Sequence, residues 1–195
     1  MKLKVIFLLR HGETVWNKEG RYQGRNDSPL TEEGKKQARK IAAFISDRNI
    51  ECLYRSPLGR AMETANIIAD ALQCSIDVIP ELTEMNFGEF ESMLKEDIIR
   101  AYPYFFKTRK NNKVQQNYPS GESYVDVFNR VKKPLKLLLK QETKVLVIVG
   151  HESVNRIIRG IIEEIPLEEA VMLRQKNNEV IEYRFDEDRE IVHEI

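Results

Sequence analysis

The chain lacks an excess of either charge and lacks a long hydrophobic run. Its 31 lysines and arginines balance 31 aspartates and glutamates, so net charge gives no indication of nucleic acid or a membrane surface as a partner. No apolar stretch approaches the roughly 20 residues that cross a bilayer. The apolar run at residues 5–9 is too short for the core of a signal peptide. We therefore expect a cytoplasmic protein that binds neither nucleic acid nor a membrane.

The sequence also lacks the usual metal and nucleotide motifs. Cys52 and Cys74 have neither metal-ligand nor redox-pair spacing, which predicts buried thiols in a reducing compartment. His151-Glu152 begins like an HExxH zinc helix, but Asn155 occupies the position of the second histidine. There is no GxxxxGK[ST] loop, no GxGxxG after the first apolar run and no aspartate cluster suited to magnesium. The sequence thus predicts no metal site and no bound cofactor.

Histidine is scarce, with three residues in the chain, yet two of the three occupy equivalent positions. The apolar run 5–9 ends in Arg10 and His11, and the apolar run 145–149 ends in Gly150 and His151. In an open α/β sheet, ligands bind at the carboxyl ends of the buried strands. A histidine there can act as a nucleophile, and an adjacent arginine can hold an anion at two points.

Strand-like and helix-like segments alternate along the chain, which predicts a largely parallel, doubly wound sheet. We expect an α/β fold of three layers, α/β/α, in a single domain over residues 1–195 with a small cap or insertion at about 92–120. Strands are predicted at 4–9, 50–54, 75–79 and 145–149, with a terminal hairpin of 179–185 and 190–195 turned at 186–188. Helices are predicted at 30–48, 58–72, 120–140 (kinked or divided by Pro134) and 153–162.

Cationic and imidazole side chains stand where predicted strands end or helices begin. Arg60 lies in the first turn of the helix after strand 50–54, and Arg10, His11 and His151 directly follow their strands. If these strands are parallel neighbours, the four groups meet in one cleft. Such a set suits a phosphoryl group, whose charge spreads over three equatorial oxygens, and helix N-termini add further donors.

A series of motifs in fixed order runs through residues 3–159. The motifs are Arg10-His11-Gly12-Glu13-Thr14, Trp16-Asn17, Gly20-Arg21-Tyr22-Gln23-Gly24, Asp27-Ser28-Pro29-Leu30-Thr31, Gly34, Gln37-Ala38, Ser56-Pro57-Leu58-Gly59-Arg60-Ala61, Thr64-Ala65, Leu82-Thr83-Glu84-Met85-Asn86-Phe87-Gly88, Gly121-Glu122-Ser123 and Gly150-His151. On these residues the chain resembles the histidine phosphatase superfamily, which has the phosphoglycerate mutase-like fold.

The resemblance implies a role for each matching residue. His11 would be the nucleophile that forms a phosphohistidine, and Glu84 would protonate the leaving oxygen and then activate water. The phosphoryl group would be bound by Arg10, Asn17, Arg60 and His151, and the substrate also by Gln23 and Gly24. Glu152 does not match the family pattern but is a further candidate, because its backbone N–H can face the phosphate. The chemistry agrees, since histidine is a neutral nucleophile near pH 7, fixed positive donors stabilise developing charge, and a suitably placed carboxyl group serves as acid and base.

The chain departs from the family pattern at three places. Glu152-Ser153 follows His151 where glycines are usual, Glu91-Ser92 replaces the commoner Glu-Gly, and Arg55 replaces a serine. The Glu152 carboxylate would repel a second anion or contact the substrate, and Arg55 would add a cation to the rim. None of these changes removes a catalytic group, so we expect an active enzyme.

A phosphatase is favoured over a cofactor-dependent phosphoglycerate mutase, because mutases carry a longer insertion over the substrate than segment 92–120. A non-catalytic phosphate-binding module is a further alternative, which retention of both His11 and Glu84 disfavours. We therefore expect a metal-independent phosphomonoesterase of the histidine acid phosphatase type, with a small phosphorylated metabolite as its partner. A homodimer is compatible with the sequence.

Between residues 98 and 121 there are five basic and no acidic residues, namely Arg100, Lys107, Arg109, Lys110 and Lys113. This segment is either a cap that recruits an anionic substrate, such as a phosphorylated carboxylic acid, or a solvated loop. The nearby aromatic residues Tyr102, Tyr104, Phe105 and Phe106 would contact a substrate or, by the favoured interpretation, pack onto the sheet. Phosphosugars, phosphoglycerates, phosphoserine and ribazole phosphate all remain candidate substrates.

Overall fold

A computed structural model describes residues 4–185 and 190–194, with side chains up to residue 185. Within these ranges six strands form one sheet in the order β3-β2-β4-β1-β5-β6. β1 pairs in parallel with β4, and β2 in parallel with β3 and β4, whereas β5 is antiparallel to β1 and β6 to β5. The strands are β1 (Lys4–Arg10), β2 (Cys52–Arg55), β3 (Ser75–Val78), β4 (Val145–Gly150), β5 (Val180–Phe185) and β6 (Glu190–Glu194).

Helices cover both faces of the sheet, as the three-layer prediction requires. Alternate residues of β1 point to opposite faces: Ile6 and Leu8 pack with α6 and α7, whereas Phe7 and Leu9 pack with α2 and α3. The helices are α1 (Val15–Glu19), α2 (Glu32–Phe44), α3 (Gly59–Leu72), α4 (Lys95–Ala101), α5 (Pro103–Arg109), α6 (Tyr124–Lys140), α7 (Glu152–Ile162) and α8 (Leu167–Ala170). The α/β fold with a mainly parallel sheet is therefore confirmed.

The helix is not divided at Pro134, the second of the two predicted outcomes, because α6 runs without interruption from Tyr124 to Lys140. A proline inside a helix removes one backbone hydrogen bond, at a cost of about 3 kcal/mol. The buried stripe Val127, Val131, Leu135 and Leu138 offsets that cost, since each such side chain contributes roughly 1.5–3 kcal/mol on burial.

Four short helices, α1, α4, α5 and α8, are additional to the prediction. The strand and long-helix predictions match observed elements with small shifts of their ends. The predicted terminal hairpin is present as the pair β5–β6, while its turn at 186–188 lies outside the described residues. Among the helices described here, none has the length and apolarity needed to cross a membrane.

Segment 92–120 contains α4 and α5 and packs over the sheet through aromatic rings. Phe90 lies at the centre of this packing, with ring centroids 4.8 Å from Tyr102 and 4.9 Å from Phe105. Ile98 of α4 is also buried. Tyr104, in contrast, is largely exposed. The segment therefore has its own apolar anchor, which positions the basic residues that follow it.

Candidate active site

The parallel register of β1 and β4 brings the two strand-end histidines together. Arg10 pairs with Gly150, and the His11 amide donates to the Gly150 carbonyl at 3.1 Å. The ring centroids of His11 and His151 lie 5.1 Å apart. The convergence predicted from the strand ends is therefore present.

His11 is held as a neutral imidazole with one free ring nitrogen. His11 is only 3% exposed, and its Nδ1 lies 2.8 Å from the Gly12 carbonyl oxygen. A carbonyl only accepts, so Nδ1 carries the proton and Nε2 keeps its lone pair. Burial, followed by the guanidinium groups of Arg60 and Arg10, holds the pKa of His11 well below its ordinary value. This is the protonation state that a nucleophile requires.

His151 is buried beside His11 but is not among the residues that line the cavity described below. It is fully buried at the position preceding α7, and its Nε2 is 2.7 Å from the Ser56 hydroxyl oxygen. Burial and the positive charge of Arg60 hold the pKa of His151 well below its ordinary value. Its Nδ1 has no hydrogen-bond partner among the described residues.

The two predicted phosphoryl-binding arginines are fixed by oxygen acceptors. Arg60, 2% exposed, donates to the Asp27 carboxylate at 2.8 Å and to the Gly24 carbonyl at 2.7 Å. Arg10 donates to the Gln175 carbonyl at 2.9 Å. Burial lowers the pKa of both guanidinium groups. In each arginine Nε has no partner among the described residues, which leaves a donor for an anion.

A cavity of about 470 Å³ opens above these groups, and every predicted site residue except His151 lines it. Arg55 does not line it and instead donates to the Ser56 carbonyl, so the expected extra cation on the rim is not supplied by this residue. In the part of the chain that the structure describes, no group of three or more His, Cys, Asp and Glu side chains is arranged to hold a metal ion.

Glu84 is held in the cavity wall by two backbone amides. One carboxylate oxygen accepts from the Met85 amide at 2.8 Å, and the other accepts from the Ser153 amide at 3.2 Å. The second contact ties the Glu84 loop to the start of α7, directly after His151. Glu84 is thus only 6% exposed and lines the same cavity as Arg10 and Arg60.

Local turns position Asn17, Gln23 and Gly24. Asn17 forms a capping box with Thr14 at the start of α1, which fixes it in the first turn of that helix. Gln23 is buried, and its amide oxygen has no partner among the described residues. Gly24 has φ = +58°, and a side chain there would collide with the Glu91 carboxylate. The positive φ and this close contact both favour glycine at the position.

The carboxylate of Glu152 is engaged by three arginines. One of its oxygens lies 3.0 Å from Arg10, and the other lies 2.5 Å from Arg156 and 3.2 Å from Arg174. The expected effect on a second anion is therefore reduced, because its charge is already compensated. Glu152 joins the phosphoryl-binding arginine to a second group of cations.

Several cavity residues were not singled out from the sequence. Of the five basic residues noted between 98 and 121, Arg109, Lys110 and Lys113 line the cavity, whereas Arg100 and Lys107 do not. The further cations in its wall are Arg21, Lys95, Arg156 and Arg174. Arg156 lies four residues after Glu152 on α7, a spacing that predicts an ion pair. Arg174 lies in an irregular segment, and no sequence signal indicates its role.

Comparisons with known proteins identify the family of the chain. The profile of the histidine phosphatase superfamily (branch 1) matches residues 6–195. Phosphoserine phosphatase 1 of Hydrogenobacter thermophilus is 35% identical over 75% of this chain and 70% of its own length. The protein named "Probable phosphoglycerate mutase GpmB" of Erwinia tasmaniensis is 33% identical over 88% and 80%. The alpha-ribazole phosphatase structure from Shigella flexneri superposes with a TM-score of 0.85, at 26% identity over 97% of this chain and 95% of that one. The chain therefore belongs to the histidine phosphatase superfamily.

Proposed function

We propose that the protein is a metal-independent phosphomonoesterase, of the histidine acid phosphatase type, that acts on small phosphorylated metabolites through a phosphohistidine. The observation that carries this proposal is the neutral, buried His11, whose free Nε2 shares a cavity with Arg10, Arg60 and the Glu84 carboxylate. The same set of groups is what phosphoryl transfer requires, namely a nucleophile, charge-stabilising donors and an acid.

In the first step, His11 Nε2 attacks phosphorus and the bond from phosphorus to the ester oxygen breaks. Arg10 and Arg60 bind the equatorial oxygens, and their positions are fixed in advance by the Gln175 carbonyl and by Asp27. If the Ser56 hydroxyl donates to His151 Nε2, then His151 carries its proton on Nδ1, the atom without a partner. That N–H becomes a further donor beside His11.

The Glu84 carboxyl group supplies the proton that the departing alkoxide needs. Its contact with the Ser153 amide, in the first turn of α7, holds it in the same cavity as His11. In the second step the Glu84 carboxylate removes a proton from water, which attacks phosphorus. The bond from phosphorus to His11 Nε2 then breaks, and inorganic phosphate leaves with the imidazole returned to its neutral form.

Mutase activity is the second candidate, because several relatives are named probable phosphoglycerate mutases. Hydrolysis is favoured by the small size of segment 92–120, which we propose to be a cap made of the two seven-residue helices α4 and α5. A small cap leaves water access to the phosphohistidine, whereas a mutase must exclude water until the phosphoryl group returns to substrate.

Phosphate release from p-nitrophenyl phosphate and from a panel of small phosphomonoesters tests the proposal. With EDTA present and no bisphosphoglycerate, we expect turnover by the wild type and at least a 1,000-fold loss in His11→Ala, on the order of what loss of a nucleophile costs. His193→Ala, in the edge strand β6, is the matched control and retains activity.

Wild type that releases no phosphate from any ester contradicts the proposal, as does activity that EDTA removes. In the first case, 3-phosphoglycerate with its bisphosphate primer distinguishes a mutase from a binding module.

A further inference from the structure

The cavity has far more positive charge than one phosphoryl group requires. Among the described residues, nine arginine and lysine side chains and two carboxylates line it, although the chain as a whole has a net charge of zero. The phosphoryl-binding pair, Arg10 and Arg60, accounts for two of the nine. Seven cations remain, and the second carboxylate, Glu152, contacts two of them. The excess indicates a substrate with more than one anionic group.

Arg109 shows the imbalance most clearly. The residue is 6% exposed, yet its guanidinium forms no ion pair with any described residue and donates to the Gln116 carbonyl. It lies over the Tyr118 ring at 4.2 Å, and its Nη2 has no hydrogen-bond partner among the described residues. A buried charge is ordinarily paired, because removing it from water is costly. Arg109 thus has a donor available for an anion in the cavity that it lines.

Two further cations surround the same wall of the cavity. Arg109 and Lys113 lie 5.8 and 5.9 Å from the centre of the Tyr124 ring, and Arg156 Nη1 lies 2.5 Å from the Tyr124 hydroxyl. Burial, together with the charges of Arg156, Arg109 and Arg174, lowers the pKa of Lys113 to about 8. We call Arg109, Lys113, Arg156 and Arg174 the outer cation cluster.

Glu152 places the outer cation cluster next to the phosphoryl-binding groups. One of its carboxylate oxygens contacts Arg10, and the other contacts Arg156 and Arg174. The width of a single carboxylate therefore separates the two sets of guanidinium groups. A small molecule with two anionic groups on a short spacer can reach both sets at once.

We propose that the outer cation cluster binds a second anionic group on the leaving alcohol, so that the substrates are phosphomonoesters of small acids. This inference rests on the proposed function and specifies its substrate class. Binding the second anion fixes the alcohol oxygen relative to Glu84 and orients the phosphoryl group toward His11. The second group is a carboxylate or a phosphate, since both form charge-assisted hydrogen bonds with arginine.

Two matched pairs of esters test the inference and distinguish the two anions. 3-Phosphoglycerate and glycerol 3-phosphate differ only in a carboxylate in place of a hydroxymethyl group. Propane-1,3-diol bisphosphate and its monophosphate differ only in the second phosphate. We expect the wild-type kcat/KM for phosphate release to be at least about tenfold higher for the more anionic member of one pair, the effect of one or two charged hydrogen bonds.

The variants Lys113→Gln and Arg174→Gln are expected to fold, because Lys113 is partly exposed and Arg174 is largely exposed. Arg109→Gln is also tested, and its thermal unfolding is measured because Arg109 is buried. For each variant we divide kcat/KM for the more anionic ester of a pair by kcat/KM for the less anionic one. Each substitution is expected to lower this ratio by about three- to tenfold. Arg100→Gln, a basic residue of the same segment outside the cavity, leaves the ratio unchanged. The wild-type ratio should also fall as pH rises through about 8, because Lys113 then loses its proton. The charged groups that act on the pKa of Lys113 are Arg109, Arg156 and Arg174, which lower it, and Glu152, which raises it.

Ratios near one in both pairs overturn the inference, as does an equal change of the ratio in Arg100→Gln. Turnover of p-nitrophenyl phosphate without turnover of either more anionic ester overturns it as well, and leaves the proposed function intact. Absence of turnover with every ester, p-nitrophenyl phosphate included, overturns the proposed function itself.

Discussion

The phosphoryl-binding pocket around His11 and the outer cation cluster share one cavity but are constructed differently. The pocket is built at strand ends, where the register of β1 and β4 fixes His11 against Gly150. The cluster is built from long side chains on α5, on α7 and in irregular segments. By the proposals above, backbone geometry positions the reacting groups, whereas a few long side chains select the substrate. Substitutions in the outer cluster can therefore alter specificity without disturbing the sheet.

The largest effect is expected in the pocket, from Glu84→Gln. With glycerol 3-phosphate, loss of the acid leaves an unprotonated alkoxide, and we expect kcat to fall by roughly 10²–10⁴. With p-nitrophenyl phosphate the phenolate departs without a proton, so the first step survives while the water step lacks its base. Stopped-flow absorbance should then show a burst of nitrophenolate.

Glu81→Gln, an exposed acid in the 3₁₀ turn before Glu84, is the matched control and keeps wild-type kinetics. An equal loss with both esters, and no burst, would show that Glu84 does not protonate the leaving group.

A smaller effect is expected on stability, because the titratable groups of the two regions change the free energy of unfolding at different pH values. The native pKa values of His11 and His151 are held well below 6.5 by burial and by Arg60. Below pH 6.5 the two histidines take up protons in the unfolded chain but not in the native protein. Their contribution to the free energy of unfolding is therefore fully present above pH 6.5 and falls as pH decreases. The slope is up to about 1.4 kcal/mol per pH unit for each histidine.

Chemical denaturation between pH 7 and pH 5 measures this slope. His151→Gln should reduce it, because glutamine does not titrate, whereas Lys113→Gln should leave it unchanged, because Lys113 titrates near pH 8. Parallel curves for wild type and His151→Gln would show that the native imidazole takes up a proton as readily as the unfolded one.

The same division explains how much of the molecule could be predicted from the sequence. The parallel strands were predictable, because buried strands are short apolar runs with marked ends, and the residues at those ends follow directly. Arg10 and His11 accordingly lie at the end of β1, and His151 directly follows β4, as predicted, although His151 does not line the cavity. Helix α1 was not predictable, because its five residues depend on a capping box in which Asn17, rather than the usual Glu or Gln, closes the turn.

The outer cluster was only partly predictable, since it depends on contacts between segments distant in the chain. A basic run between 98 and 121 indicates an excess of charge, but it does not distinguish Arg109, which lines the cavity, from Arg100, which does not. Arg174 reaches Glu152 across 22 residues. Such contacts depend on tertiary packing and have no local periodicity.

The smallest predicted effect is at Glu152, where the two regions meet. Glu152 competes with the phosphoryl oxygens for Arg10 and lowers the positive potential of the outer cluster. Glu152→Gln keeps the side chain's size and removes the charge, so we expect KM for small phosphomonoesters and the inhibition constant of inorganic phosphate each to fall by about fivefold, the effect of roughly 1 kcal/mol. Because the charge acts on substrate and transition state alike, kcat should change little. Glu168→Gln, an exposed acid on α8, is the matched control. A rise in KM would mean that Glu152 serves mainly to position Arg10 and Arg156. The geometry of both the pocket and the outer cluster would then depend on this one carboxylate, and its negative charge would not be what limits anion binding.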